Sequence, residues 1–212
     1  STVSIDSWAE QSPPKVLASI KPLALLLAPL LGDAPDLREE VQILLPTNAS
    51  PHHYAMTVSD RRQLDEADLF IWVGEDLERF LSKTVRAMGV SKTLAASQAS
   101  GLSWPEDSGK GGHKHEDHGL HDPHLWLNPD NAVTLVMAFA ERLSLMRPEM
   151  ATTYKARARS FVSNIEDIDL KILERLEKYR NRSFLVSHDG FAHFVQHYQL
   201  NQLGAVSAGS DT

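Results

Sequence analysis

The chain has 212 residues, 42% of them hydrophobic, which is enough for one large domain or two small ones with real cores. With 28 acids against 21 bases the net charge is −7, which argues against nucleic acid as a partner, because that role needs a concentrated basic face. There is no cysteine, so disulfides and thiolate metal sites are both excluded, and any metal must be held by nitrogen and oxygen.

The first ten residues, Ser1 to Glu10, carry neither a basic n-region nor an apolar core, so no signal peptide is visible. Residues 23–31 are apolar but too short to span a bilayer and are interrupted by Pro29. The expectation is a soluble chain, either cytoplasmic or already stripped of a signal.

In chain order, residues 16–20 follow a Pro-Pro turn and read as a strand, and Pro22 opens a helix through about Leu31. Residues 41–45 are a second strand, closed by Pro46. Residues 57–67 read as a short helix with Ser59 as an internal cap. Residues 69–73 are a third strand ended by Gly74, residues 77–88 a helix with an apolar side, and residues 92–96 a fourth strand. Strands alternating with helices imply an α/β lobe with a parallel sheet. Residues 97–122 are rich in Ser, Gly, His, Asp and Glu without periodicity, and read as a mobile loop between Pro105 and His121.

Pro129 starts a helix through about Met146. After Pro148, apolar residues Met150, Tyr154, Ala158, Phe161, Ile165, Ile168, Ile172, Leu176 and Tyr179 recur at steps of three or four, one stripe on one helix. At about 1.5 Å per residue it would run roughly 45 Å, long enough to lie across more than one body; a coiled-coil arm is the alternative. Residues 184–187 are a strand, 190–198 a helix, and 200–206 another extended piece. The expected division is an N-terminal α/β lobe over 1–128 that includes the His-rich loop 97–122, a helical segment over 129–182, and the start of a second α/β lobe over 183–212. A sheet of one or two strands rarely buries enough to stand alone, so the second lobe reads as incomplete at its C-terminus.

Of the 10 histidines, His113, His115, His118, His121 and His124 fall within twelve residues. Imidazole is the commonest nitrogen ligand for zinc, copper and nickel, so this stretch should bind transition metals, weakly if it must first be ordered. Preorganised ligands belong instead at strand ends, in the cleft outside a parallel sheet. His52 follows the second strand by a short loop, His124 lies where apolar order returns after the loop, and His188 follows residues 184–187 directly. His193 and His197 share a helical face by their spacing of four, and read as solvent-facing non-ligands; His53 reads as a non-ligand. His115-Glu116-Asp117-His118 misses the H-E-x-x-H motif of zinc proteases, because Gly119 stands where the second histidine is needed.

Several ordered segments carry a family resemblance: Ala18-Ser19-Ile20-Lys21-Pro22-Leu23; Pro51-His52-His53-Tyr54 followed by Ser59-Asp60; and Ala67-Asp68-Leu69-Phe70-Ile71-Trp72-Val73-Gly74. The His-rich loop, His124-Leu125-Trp126-Leu127-Asn128-Pro129 and Ser187-His188-Asp189 complete the set. From about Lys15 onward the chain resembles the ZnuA-like, zinc-binding subgroup of cluster A-I substrate-binding proteins, the periplasmic partners of zinc ABC importers. The resemblance implies two Rossmann-like α/β lobes with parallel sheets, joined by one long rigid helix, with metal in the cleft between them. It maps the family's three histidine ligands onto His52, His124 and His188. A histidine at the third position favours zinc over manganese, whose carriers tend to have a carboxylate there. It further implies a non-enzymatic, monomeric, periplasmic or cell-surface protein that captures Zn2+ for an ABC permease, with His113, His115, His118 and His121 as a secondary metal loop.

The chain departs from the family pattern at Pro51, where some relatives have glutamate, and the family continues beyond Thr212 with a part that often supplies a fourth oxygen ligand. Asp189 and Asp122 are the residues placed to orient the ligand imidazoles. Binding should weaken as pH falls through about 6.5, because each imidazole must be deprotonated. Two rival readings stay open: a zinc hydrolase with Glu75, Asp189 or Asp60 as base, and a His-rich metal buffer without a transporter.

Overall fold

The computed structural model describes residues 14–32, 41–105 and 122–206. The expected mobile stretch and the four histidines His113, His115, His118 and His121 lie outside the described residues.

Four strands, β1 (Val16–Ala18), β2 (Gln42–Ile43), β3 (Leu69–Trp72) and β4 (Thr93–Ala95), form an all-parallel sheet in the order β2-β1-β3-β4. Every residue of β1 and β3 is buried, which is why both read as unbroken apolar runs rather than alternating ones. β2 is shorter than expected, because its ladder covers two residues at the sheet edge. The chain beyond it still leans on β1, with the amides of Leu44 and Leu45 donating to the carbonyls of Ala18 and Ser19.

Helices α1 (Lys21–Leu31), α2 (Val58–Glu66) and α3 (Ser82–Met88) alternate with these strands. The cap of α2 is Thr57 rather than Ser59. Thr57 Oγ1 accepts from the Asp60 amide at 3.2 Å while Asp60 Oδ2 accepts from the Thr57 amide at 2.7 Å, a reciprocal box that needs the acid three residues after the cap. The expected helix over 77–88 begins instead as a 3-10 turn, Arg79–Leu81, and becomes α-helical at Ser82. Just ahead of that turn, Glu78 sends its side chain back to the Val73 and Gly74 amides.

Helix α4 (Pro129–Met146) is capped by the Asn128 side chain, and α5 (Ala151–Leu176) is extended by 3-10 turns at both ends. The 26 residues of α5 span about 39 Å. Its first half lies on α1 and α4 rather than projecting as a coiled-coil arm: Tyr154 and Ala158 are buried, and the Arg157 guanidinium donates to the Leu30 and Leu31 carbonyls at the end of α1. Beyond Ile165 the expected stripe leaves the core, and Ile168 is 55% exposed. The chain then forms β5 (Ser183–Val186), α6 (Ala192–His197) and β6 (Asn201–Ala205), with β5 and β6 paired in parallel as a separate two-stranded sheet. Leu185, Leu203 and Val206 in and beside that pair are exposed. Among the described residues no helix is long and apolar enough to cross a membrane.

Candidate metal centre

His52 sits in the loop between β2 and α2, on the side of the sheet where the strands end. That loop is fixed from its far side. Tyr54 donates its hydroxyl to Asp60 Oδ2 at 2.9 Å and packs edge-on against Phe80, so one carboxylate closes the α2 cap and anchors the turn that carries His52. Burial alone would raise the Asp60 carboxyl; the bonds from Thr57 and Tyr54 outweigh it and hold the group below its usual range.

His124 lies just before α4, after Asp122-Pro123. Asp122 Oδ1 accepts both the His124 amide, at 3.0 Å, and its Nδ1, at 2.7 Å. Burial would raise Asp122, but the His124 bonds prevail and keep it a carboxylate. A carboxylate only accepts, so His124 Nδ1 carries the proton and its Nε2 is the lone-pair nitrogen. A carboxylate on one ring nitrogen in this way fixes the ring's tautomer and direction and leaves the other nitrogen able to coordinate.

His188 follows β5 by one residue. Its ring centroid is 5.6 Å from that of His124 and 6.4 Å from that of His52, and the His52 and His124 centroids are 5.9 Å apart. One ring nitrogen from each of the three lies within 4.8 Å of the others, and all three residues are half-buried. Three nitrogens on a tetrahedral zinc at 2.0–2.1 Å stand about 3.3 Å apart, so closing around an ion takes small ring movements rather than a refold. Gly190 makes room for them: a Cβ there would lie 2.8 Å from His188 Nε2 and 2.9 Å from His124 Cε1.

The remaining candidates lie elsewhere. His53 is exposed, with its ring 6.3 Å from that of His52. His193 and His197 do not face solvent as their spacing suggested. His193 is buried, and His197 Nε2 bonds Asp169 on α5 at 2.9 Å. The helical period put them on one face correctly, but that face packs against α4, α5 and the stem of the His-rich stretch. Asp189 accepts from Gln202, on β6, at 3.5 Å. Sequence reasoning missed Gly190 and Asn131. The signal for Asn131 was present, since it lies four residues before Leu135 on the buried face of α4, where a polar residue needs partners.

An all-parallel sheet, a long helix leading to a second parallel pair, and histidines gathered from three separate stretches make up the α/β architecture of the solute-binding proteins. Residues 16–212 match the family model described as "Zinc-uptake complex component A periplasmic", ZnuA, and the chain belongs to that family. It is 30% identical to the high-affinity zinc uptake system protein ZnuA of Yersinia pestis, over 89% of this chain and 64% of that protein. Against the protein of the same name from Haemophilus ducreyi it is 31% identical, over 90% of this chain and 66% of that one. The chain therefore spans about two thirds of the length of these curated relatives. A crystal structure of a zinc-bound ZnuA deletion mutant shares the fold with a TM-score of 0.77 at 24% identity, covering 93% of this chain and 72% of that one.

Proposed function

We propose that this chain captures Zn2+ outside the cytoplasm and delivers it to an ABC permease, with His52, His124 and His188 as the ligands. The observation that carries the reading is the approach of these imidazoles to within 4.8 Å from three stretches of chain far apart in sequence. Relatives named for high-affinity zinc uptake support the choice of ion and of transport. The ion is cargo. Neutral imidazoles suit zinc and leave a fourth position open to exchange, which fits a protein that must also release what it binds. Because His52 and His124 flank the four-stranded part and His188 follows β5, binding ties the proposed unit 1–128 to the proposed unit 183–212, with 129–182 running between them.

The hydrolase reading has less support. A base must reach the metal-bound water, and of the named carboxylates Glu75 pairs with Arg86 at the surface while Asp60 is engaged in the α2 cap. The buffer reading places the tight site in the His-rich stretch. Deleting residues 105–121 separates the two: transport capture keeps one tight site, and a buffer loses it. Zinc titration against a competing chelator tests the ligand set. Alanine at His52, His124 or His188 should each weaken the tight site by more than about a hundredfold, beyond the 10–100-fold usual for outer-sphere changes. If all three variants bind as the parent does, the ligand assignment is wrong.

A further inference from the structure

We propose that His193 is a positioning residue for the metal centre, acting on His124 through Asp122 and making the second lobe part of what orients a first-lobe ligand. The proposal rests on the reading of His124 as a ligand.

Asn131 accepts the Ser103 amide on Oδ1 at 2.7 Å and donates from Nδ2 to the Ser103 carbonyl at 2.9 Å, so the backbone of Ser103 fixes the orientation of its amide. The same Nδ2 faces His193 Nδ1 at 3.3 Å. A donor on one side requires an acceptor on the other, so His193 Nδ1 carries a lone pair. His193 Nε2 lies 2.9 Å from the Asp122 carbonyl, which can only accept, so Nε2 carries the proton. His193 is therefore the neutral Nε2–H tautomer. It is 1% exposed, with the Trp104 ring 5.8 Å away centroid to centroid.

Asp122 is thus gripped from α6 by two donors: His193 Nε2 on its carbonyl, and the Ala192 amide on Oδ2 at 3.1 Å. Its other carboxylate oxygen orients His124. Two consecutive residues of the second lobe hold the group that sets the tautomer and direction of a ligand contributed from just before α4. Ser103 and Asp122 also flank the His-rich stretch, so Asn131 and His193 together hold both of its stems. A histidine that only filled space would need neither hydrogen bond.

The test uses the whole 212-residue chain and three measurements: zinc affinity by chelator competition, the ligand-field spectrum of bound Co2+, and the thermal midpoint of the metal-free protein. His193→Leu should weaken zinc binding about 10–100-fold, as loss of an outer-sphere partner does, and shift the Co2+ bands. His193→Gln can donate to the Asp122 carbonyl and accept from Asn131, and should recover most of the affinity and the parent spectrum. A merely structural residue would lower the thermal midpoint and leave the affinity and the spectrum of folded protein unchanged, and that result overturns the proposal. Should the leucine variant fail to fold, nitrogen-15 histidine spectra of the parent still decide: His193 must be Nε2–H and His124 Nδ1–H, and either opposite tautomer overturns it. His124→Ala separates the two levels. If it leaves zinc binding intact, the ligand reading itself falls; if it abolishes binding while His193→Leu changes nothing, only the positioning role falls.

Discussion

The two sheets of this chain are built to different degrees of self-sufficiency. In the four-stranded sheet the apolar residues of β3, Leu69 to Ile71, are fully buried and share one core with the apolar residues of α1. In the β5–β6 pair the burial alternates, and Leu185 is 60% and Leu203 68% exposed. The first body, with α1, α4 and the start of α5, carries the buried apolar core. The second is joined to the rest by polar contacts from α6: Ala192 and His193 on Asp122, and His197 on Asp169 of α5. The difference teaches that His52 and His124 sit on a finished scaffold, whereas His188 comes from a part whose position depends on polar bridges. On the proposed ligand assignment, the site would draw on both parts.

Amide exchange tests that contrast with the largest expected effect. The Ser19 and Phe70 amides, bonded to Ile71 and Lys92 carbonyls inside the first sheet, should exchange only on global unfolding. The Val206 amide, bonded to Val186, should open at least tenfold more readily, or ~1.4 kcal/mol. Equal protection would show that both sheets unfold as one unit.

Glu78 sharpens the picture of the first body. Burial pushes its carboxyl up to about 7, and the neighbouring Ser19 hydroxyl and the Val73 and Gly74 amides moderate the shift without reversing it. Below the unfolded value of 4.5 the group is protonated in both states; between 4.5 and about 7 only the folded state keeps the proton. Stability should therefore fall as pH rises through that window, by roughly a few kcal/mol, and then level off. Glu78→Gln should flatten the profile, matching the parent near pH 4 and exceeding it above pH 7, as read from urea midpoints. A parent profile without that slope contradicts the assignment.

Gly190→Ala probes the boundary itself. The new Cβ would press on the His188 and His124 rings, so zinc affinity should drop about tenfold while the thermal midpoint of the metal-free chain stays within a degree or two. An unchanged affinity would mean that the rings have slack the geometry does not suggest.

Much of this was legible in the sequence, for identifiable reasons. Unbroken apolar strands alternating with amphipathic helices announced the parallel sheet, and a nine-residue stripe announced the long helix. The three histidines stood out because each followed a strand or marked the return of apolar order. What stayed hidden was set by tertiary partners. The true cap of α2 depended on a reciprocal bond between Thr57 and Asp60, competing with an equally plausible Ser59. The exposure of Ile168 depended on where α1 and α4 stop covering α5. His193 and His197 looked like a solvent-facing pair because periodicity gives a face but not what covers it.

The most direct measurement is anomalous diffraction at the zinc edge from a crystal of this chain soaked in Zn2+. A single strong peak bonded to nitrogens of His52, His124 and His188 at about 2.0–2.1 Å is the expected result. A fully occupied zinc elsewhere, with those three rings uncoordinated, would contradict it.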